Sequence, residues 1–141
     1  MKEFDIALLP GDGVGEEVTR VASSILESAG KKFELIFNFK EALCGGAAID
    51  AVDHPLPEET LELCKSSDAV LFGAVGGPKW DDLEREKRPE QAILGLRKGL
   101  DLYANLRPAV MFDSLVDSSS LKPEIVRGLD LLVLREGVSG I

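Results

Sequence analysis

The opening of the chain changes its hydrophobic period twice, and that succession restricts the fold more than any other feature. Phe4 to Leu9 is a short, mostly apolar run ending in Pro10-Gly11, the pattern of a buried strand entering a tight turn. Val18, Val21, Ala22, Ile25, Leu26 and Ala29 then recur at helical spacing, and Gly30 supplies a C-terminal stop. Phe33, Leu35, Phe37 and Phe39 alternate with other residues, as in a strand with one buried face. Strand, helix and strand in that order predict a βαβ unit with a right-handed crossover.

The segment from Ala42 to Val52 is rich in Gly and Ala and fits no single period. Pro57 and the glutamates behind it start a helix that runs to about Lys65 or Ser66. Ala69 to Ala74 reads as the next strand and empties into Val75-Gly76-Gly77-Pro78. A charge-dense loop follows from Lys79 to Pro89, then a helix from about Glu90 to Leu100 and an extended segment through Leu106-Arg107-Pro108. Ser118-Ser119-Ser120 and Pro123 mark a loop, and Leu129 to Leu134 is a last apolar strand. Alternating strands and helices predict an α/β fold with a largely parallel sheet flanked by helices. Ligands of such sheets bind where strands end in polar loops. The segments Gly11 to Gly15, Gly76 to Glu90 and Arg135 onward are placed in that way.

Composition narrows the function classes. By length alone, 141 residues suggest one domain, and 45% hydrophobic with 29% charged residues is the balance of a globular chain. The net charge of -9, with the sixteen Lys and Arg dispersed, argues against a nucleic-acid partner. The N-terminus lacks a basic segment followed by an apolar run, and no apolar stretch reaches membrane-spanning length, so a cytoplasmic protein without a membrane role is expected. Cys44 and Cys64 have neither metal-ligand nor redox-motif spacing and read as free thiols. His54, before Pro55 and without a second histidine, reads as a surface loop residue.

Four groups of residues are candidates for chemistry. In Gly11-Asp12-Gly13-Val14-Gly15 the third glycine follows the second by two residues, where the dinucleotide fingerprint needs three, and the P-loop lysine is missing. A sharp strand-to-helix turn and a ligand contact both remain open there. Gly76-Gly77-Pro78-Lys79-Trp80-Asp81 combines close backbone approach, a cation and a flat apolar face, but it also suits an ordinary surface loop. Arg97, Arg107 and Arg135 would clamp a small di- or tricarboxylate if they converge, since guanidinium forks match carboxylates bidentately. Three separate surface ion pairs would account for them too. Ile93 and Leu94, one turn before Arg97, offer either an apolar patch beside that clamp or plain core packing.

Together these segments resemble the isopropylmalate dehydrogenase branch of the β-decarboxylating dehydrogenases. The matching stretches are Leu8 through Gly15, Gly73 through Trp80, Arg88-Pro89-Glu90, Leu96-Arg97-Lys98, Tyr103 through Pro108, and Leu134-Arg135-Glu136. The resemblance implies oxidation of 3-isopropylmalate at its 2-hydroxyl carbon by NAD, then loss of carbon dioxide, with Mg²⁺ or Mn²⁺ stabilising the developing enolate. It places Arg97, Arg107 and Arg135 on the malate carboxylates, Ile93 and Leu94 against the isopropyl group, and Glu90 between substrate and nicotinamide. The cofactor site would be lined by Gly77, Pro78, Lys79, Trp80, Asp81, Asp82, Leu83, Glu84, Arg85, Glu86, Lys87, Arg88, Pro89 and Glu90. Isocitrate enzymes of the superfamily place polar residues at the positions of Ile93 and Leu94, so the apolar pair favours isopropylmalate over isocitrate, homoisocitrate or tartrate.

The resemblance also implies a division of the chain, with residues 1–100 the first part of a cofactor-side α/β domain and 101–141 the start of a second, substrate and dimerisation domain. In that family the catalytic tyrosine comes directly after the position of Ile141, and the catalytic lysine and metal-binding aspartates come later. No catalytic or metal-binding residue is therefore expected within these residues, and alone they are expected to be inactive and poorly stable. Homodimerisation is expected of the full-length protein. Glu16 replaces a usual proline, and Ser139 a common glycine. A non-catalytic binding module or regulatory subunit is the reading from a different class, and a general nucleotide-binding domain a third.

Overall fold

The computed structural model describes residues 2–137; Ser139 and Ile141, on which the readings of the final turn and the chain's end rest, lie outside them. Two compact units, Met1–Leu100 and Asp101–Ile141, make up the chain.

The first unit runs β1 (Lys2–Gly11), α1 (Val14–Phe33), β2 (Leu35–Glu41), α2 (Gly45–Val52), α3 (Glu58–Ser66), β3 (Ala69–Ala74) and α4 (Gln91–Gly99). Its three strands are parallel in the order β2-β1-β3. The two-residue period of β1 sends its side chains to two layers. Ala7 and Leu9 join Cys44, Leu56, Cys64, Ala92 and Leu96 in a core shared with α3 and α4. Leu9 and Leu96 are almost fully buried there, each contributing about 2 kcal/mol by leaving water. Gly73 lies on the other face of the sheet, where a side chain would meet Thr19 of α1.

Two details of α1 and β2 differ from the sequence reading. Gly30 does not end α1, which continues to Phe33 and is closed by Glu34 in the left-handed conformation (φ 55). Gly30 is buried instead because a side chain there would meet the Leu35 carbonyl and the Phe37 ring. Phe33 therefore belongs to the helix, exposed, and β2 begins at Leu35. The apolar arc of α1 is also wider than the sheet it meets: Thr19 and Gly30 are buried, while Val14, Val18, Val21 and Ile25 form an exposed stripe.

The second unit holds β4 (Ala104–Val110), a 3-10 segment Asp113–Ser118, α5 (Pro123–Val126) and β5 (Asp130–Glu136). β4 and β5 pair antiparallel, as a two-stranded ribbon separate from the parallel sheet. Val116 and Val126 are buried. Leu131 to Leu134, read in the sequence as an apolar strand, are all exposed.

Candidate functional site

In the first unit, β1 and β3 end side by side, with Gly11 opposite Ala74. The glycine segment after β1 and the turn after β3 thus leave the same edge of the sheet. Asp12 joins them. Its N–H donates to the Ala74 carbonyl at 2.6 Å. Its carboxylate, only 5% exposed, accepts Gly46 N–H (2.7 Å) and Gly76 N–H (2.9 Å) on Oδ2 and Ala47 N–H (2.7 Å) on Oδ1. Gly46 and Ala47 open α2, whose N-cap residue Cys44 makes no capping hydrogen bond. Asp12 therefore caps α2 from a distant part of the chain, a negative charge at the positive end of a helix dipole. Here the glycine segment serves the fold: its aspartate occupies the amides of α2.

Pro78–Trp80 forms a 3-10 turn after β3. Lys79 Nζ lies 2.5 Å from Asp50 Oδ2, and the Trp80 indole N–H donates to Asp50 Oδ1 at 3.2 Å. The hydrogen bond from Lys79 is the largest influence on Asp50; burial opposes it, Trp80 adds to it, and the net effect holds the carboxyl below its ordinary range. The indole covers Gly46 so closely that any side chain there would run into it. Lys79, read as a cation to offer a ligand, is thus already paired with α2.

The loop beyond is laced by its own side chains. Arg88 Nε donates to the Leu83 carbonyl (2.9 Å), Arg88 Nη2 to the Asp81 carbonyl (2.8 Å), and Gln91 Nε2 to the Arg85 carbonyl (3.0 Å). Pro89 is fully buried. Asp82, Glu84, Glu86 and Lys87 are exposed. Glu90 closes the loop, and its Oε1 sits 3.0 Å from where a side chain on Gly76 would begin. No hydrogen bond or ion pair holds that carboxylate among the described residues.

On α4 the two faces separate. Ala92 and Leu96 are buried, and Gly95 and Gly99 lie against Leu56 and Leu61. By the helical repeat, Glu90, Ile93, Leu94 and Arg97 share the opposite face. Leu94 is 48% exposed, so core packing does not explain it, and Ile93 is half-buried. Arg97 makes no ion pair among the described residues, whose ion pairs are Lys40–Asp5, Lys65–Glu62 and Lys79–Asp50.

In the second unit, Asn105 pairs with Arg135 and Arg107 with Val133. The strand period puts Arg107 and Arg135 on one face of the ribbon as diagonal neighbours. Neither makes an ion pair among the described residues. Separate surface ion pairs therefore do not account for any of the three arginines. Arg20, Arg85, Arg88 and Arg127 likewise make no ion pair among the described residues, so availability alone does not single the three out.

Among the described residues no three His, Cys, Asp or Glu side chains group as a metal site. No helix among them is long and apolar enough to cross a membrane. His54 is an exposed loop residue whose Nδ1 accepts the Leu56 N–H. Cys44 and Cys64 are buried free thiols. Sequence reasoning missed Asp12 and Asp50 as organisers, because their partners are distant along the chain.

A family model described as isocitrate/isopropylmalate dehydrogenase matches residues 5–141. A 3-isopropylmalate dehydrogenase of Gloeobacter violaceus is 58% identical over 98% of this chain and 38% of its own length. One from Aquifex aeolicus is 55% identical over 100% of this chain and 39% of its own. Among solved structures, an apo β-decarboxylating dehydrogenase from Thermococcus kodakarensis has a TM-score of 0.69 at 33% identity, over 97% of this chain and 35% of that one. An isocitrate dehydrogenase from Methylococcus capsulatus has a TM-score of 0.71 at 27% identity, covering 96% and 34%. The chain thus spans about two fifths of the length of the curated relatives it matches.

Proposed function

Because the chain belongs to the isocitrate/isopropylmalate dehydrogenase family, we propose that the protein carrying it oxidises and decarboxylates 3-isopropylmalate with NAD, in leucine biosynthesis. The observation that carries this reading is the outer face of α4. Glu90, Leu94 and Arg97 follow one another along it over about 10 Å, by the rise of a helix. A carboxylate acceptor, an exposed apolar side chain and a guanidinium without an ion pair among the described residues thus stand in one row.

The roles follow from that row. Arg97 binds a malate carboxylate through its fork. By the same chemistry Arg107 and Arg135, which share one face of the ribbon in the second unit, are carboxylate-binding groups of that unit. Leu94 and Ile93 receive the isopropyl group and exclude water from it. Glu90 accepts hydrogen bonds where substrate and nicotinamide meet, and the loop from Gly77 to Glu90 lines the cofactor. The Gly77–Glu90 loop would hold NAD, which would supply a hydride acceptor for the 2-hydroxyl carbon. Mg²⁺ or Mn²⁺ would stabilise the developing enolate; no metal ligand, catalytic tyrosine or catalytic lysine is assigned among the residues described. A cytoplasmic homodimer completes the reading.

Leu94 also discriminates within the family. A third carboxylate, as in isocitrate, would lie against an apolar side chain and lose hydration without a partner. The test is NADH formation by the protein expressed from its complete reading frame, with 3-isopropylmalate or isocitrate and a divalent cation. Turnover of isopropylmalate, abolished in Arg97→Ala, is expected. Preference for isocitrate, or no turnover of either, would overturn the assignment.

A further inference from the structure

Helix α2 is one of the elements of the first unit to which the proposed reaction assigns no role. It carries no group suited to substrate, yet two aspartates tie it to the turn after β3. At its N-terminus, Gly46 and Ala47 N–H groups donate to Asp12, whose Oδ2 also takes Gly76 N–H. One helical turn further, Asp50 binds Lys79 and the Trp80 indole. Between the two, the indole lies on Gly46. The turn is thus held at its start by Asp12 and at its end by Asp50, and both holds pass through one short helix.

We infer that α2 positions the Gly76–Trp80 turn for the dinucleotide, with Asp50 as the positioning residue that fixes its outer end. This rests on the reading of that turn as part of the cofactor site. Asp50 acts through other residues. Its carboxylate fixes the ammonium of Lys79 and the edge of the indole, and these fix the backbone from Gly76 to Trp80. A backbone held in its bound form before the cofactor arrives loses less freedom on binding. Freed from Asp50, the turn would still form but sample other positions. The cost would fall on cofactor affinity rather than on substrate affinity or the chemical step.

Asp50 is exposed, so Asp50→Asn removes the charged acceptor without opening the core. The experiment uses the protein from the complete reading frame and compares wild type, Asp50→Asn and Asp50→Glu. It measures amide hydrogen exchange of residues 76–80, and kcat and KM for NAD and for isopropylmalate. In Asp50→Asn, exchange across the turn is expected to accelerate and KM for NAD to rise about tenfold. KM for isopropylmalate and kcat should stay within about twofold. Asp50→Glu, which keeps the carboxylate, should recover most of both effects. Wild-type turnover with unaltered Asp50→Asn kinetics overturns the inference alone, and so does an equal rise in both KM values. A wild-type protein that turns over no substrate with NAD overturns the reading of the turn, and the inference with it.

Discussion

The backbone N–H of Gly76 donates to Asp12 Oδ2 at 2.9 Å, joining residues 64 positions apart. The same carboxylate holds the first amides of α2, so one buried side chain satisfies three backbone donors. Asp12→Ala leaves those donors without an acceptor where little water reaches, and should cost about 3 kcal/mol of stability. Asp12→Asn keeps one acceptor oxygen but turns an NH₂ group toward an amide donor, and should fall between the two. Urea unfolding of the protein from its complete reading frame gives the comparison. An Asp12→Ala midpoint equal to wild type would mean that other groups cap α2.

Gly46 and Trp80 form the second contact between α2 and the turn. A methyl group at Gly46 would run into the indole, which must then move off the helix and away from Asp50. Gly46→Ala should cost about 1–3 kcal/mol through overpacking. It should also change the emission of Trp80, the one tryptophan of these residues. A smaller residue is not available at this position, so no substitution should restore both stability and emission. Unchanged emission in Gly46→Ala would show that the indole has another place to sit.

Local pattern revealed much of this architecture. The strand Ala69–Ala74 and the helix behind Pro57 were legible because their apolar periods and end signals agree within the segment. α2 was not, because Cys44 cannot cap it and the cap comes from Asp12, beyond any local window. Gly30 misled because the same lack of a side chain serves a helix stop and a close helix-to-strand approach. For α4, the helix and its residue types were readable, but which leucine was core was not. Leu94 and Leu96 are both leucines on one helix, and only their burial separates them.

That separation gives a test of α4. A buried leucine cut back to alanine costs about 2–5 kcal/mol, as expected for Leu96. Leu94→Ala, on the exposed side, should change stability by no more than about 0.5 kcal/mol. It should nevertheless lower kcat/KM for isopropylmalate about tenfold, the effect of removing apolar contact with a branched hydrocarbon. A stable but catalytically unaffected Leu94→Ala would remove the isopropyl group from α4. A strongly destabilised one would return Leu94 to the core.

The thiols offer a test that depends on pH. Burial pushes Cys44 up to about 12, and the Asp12 carboxylate and Cys64 act in the same direction. Burial alone raises Cys64. Only the thiolate is nucleophilic, so at about pH 8 a disulfide reagent should leave both untouched in the folded protein and modify both after unfolding. Unfolded, Cys44 titrates near its ordinary value of 9.0, and folded at about 12, so with rising pH the unfolded chain releases this proton first. The stability that this difference represents is fully present below the unfolded value and is lost as pH rises through the window toward the folded one. Urea midpoints measured across that alkaline window should therefore fall more steeply in wild type than in Cys44→Ala, which has no proton to release. Parallel slopes would mean that Cys44 titrates in the folded protein as it does unfolded, and that Asp12 does not act on it.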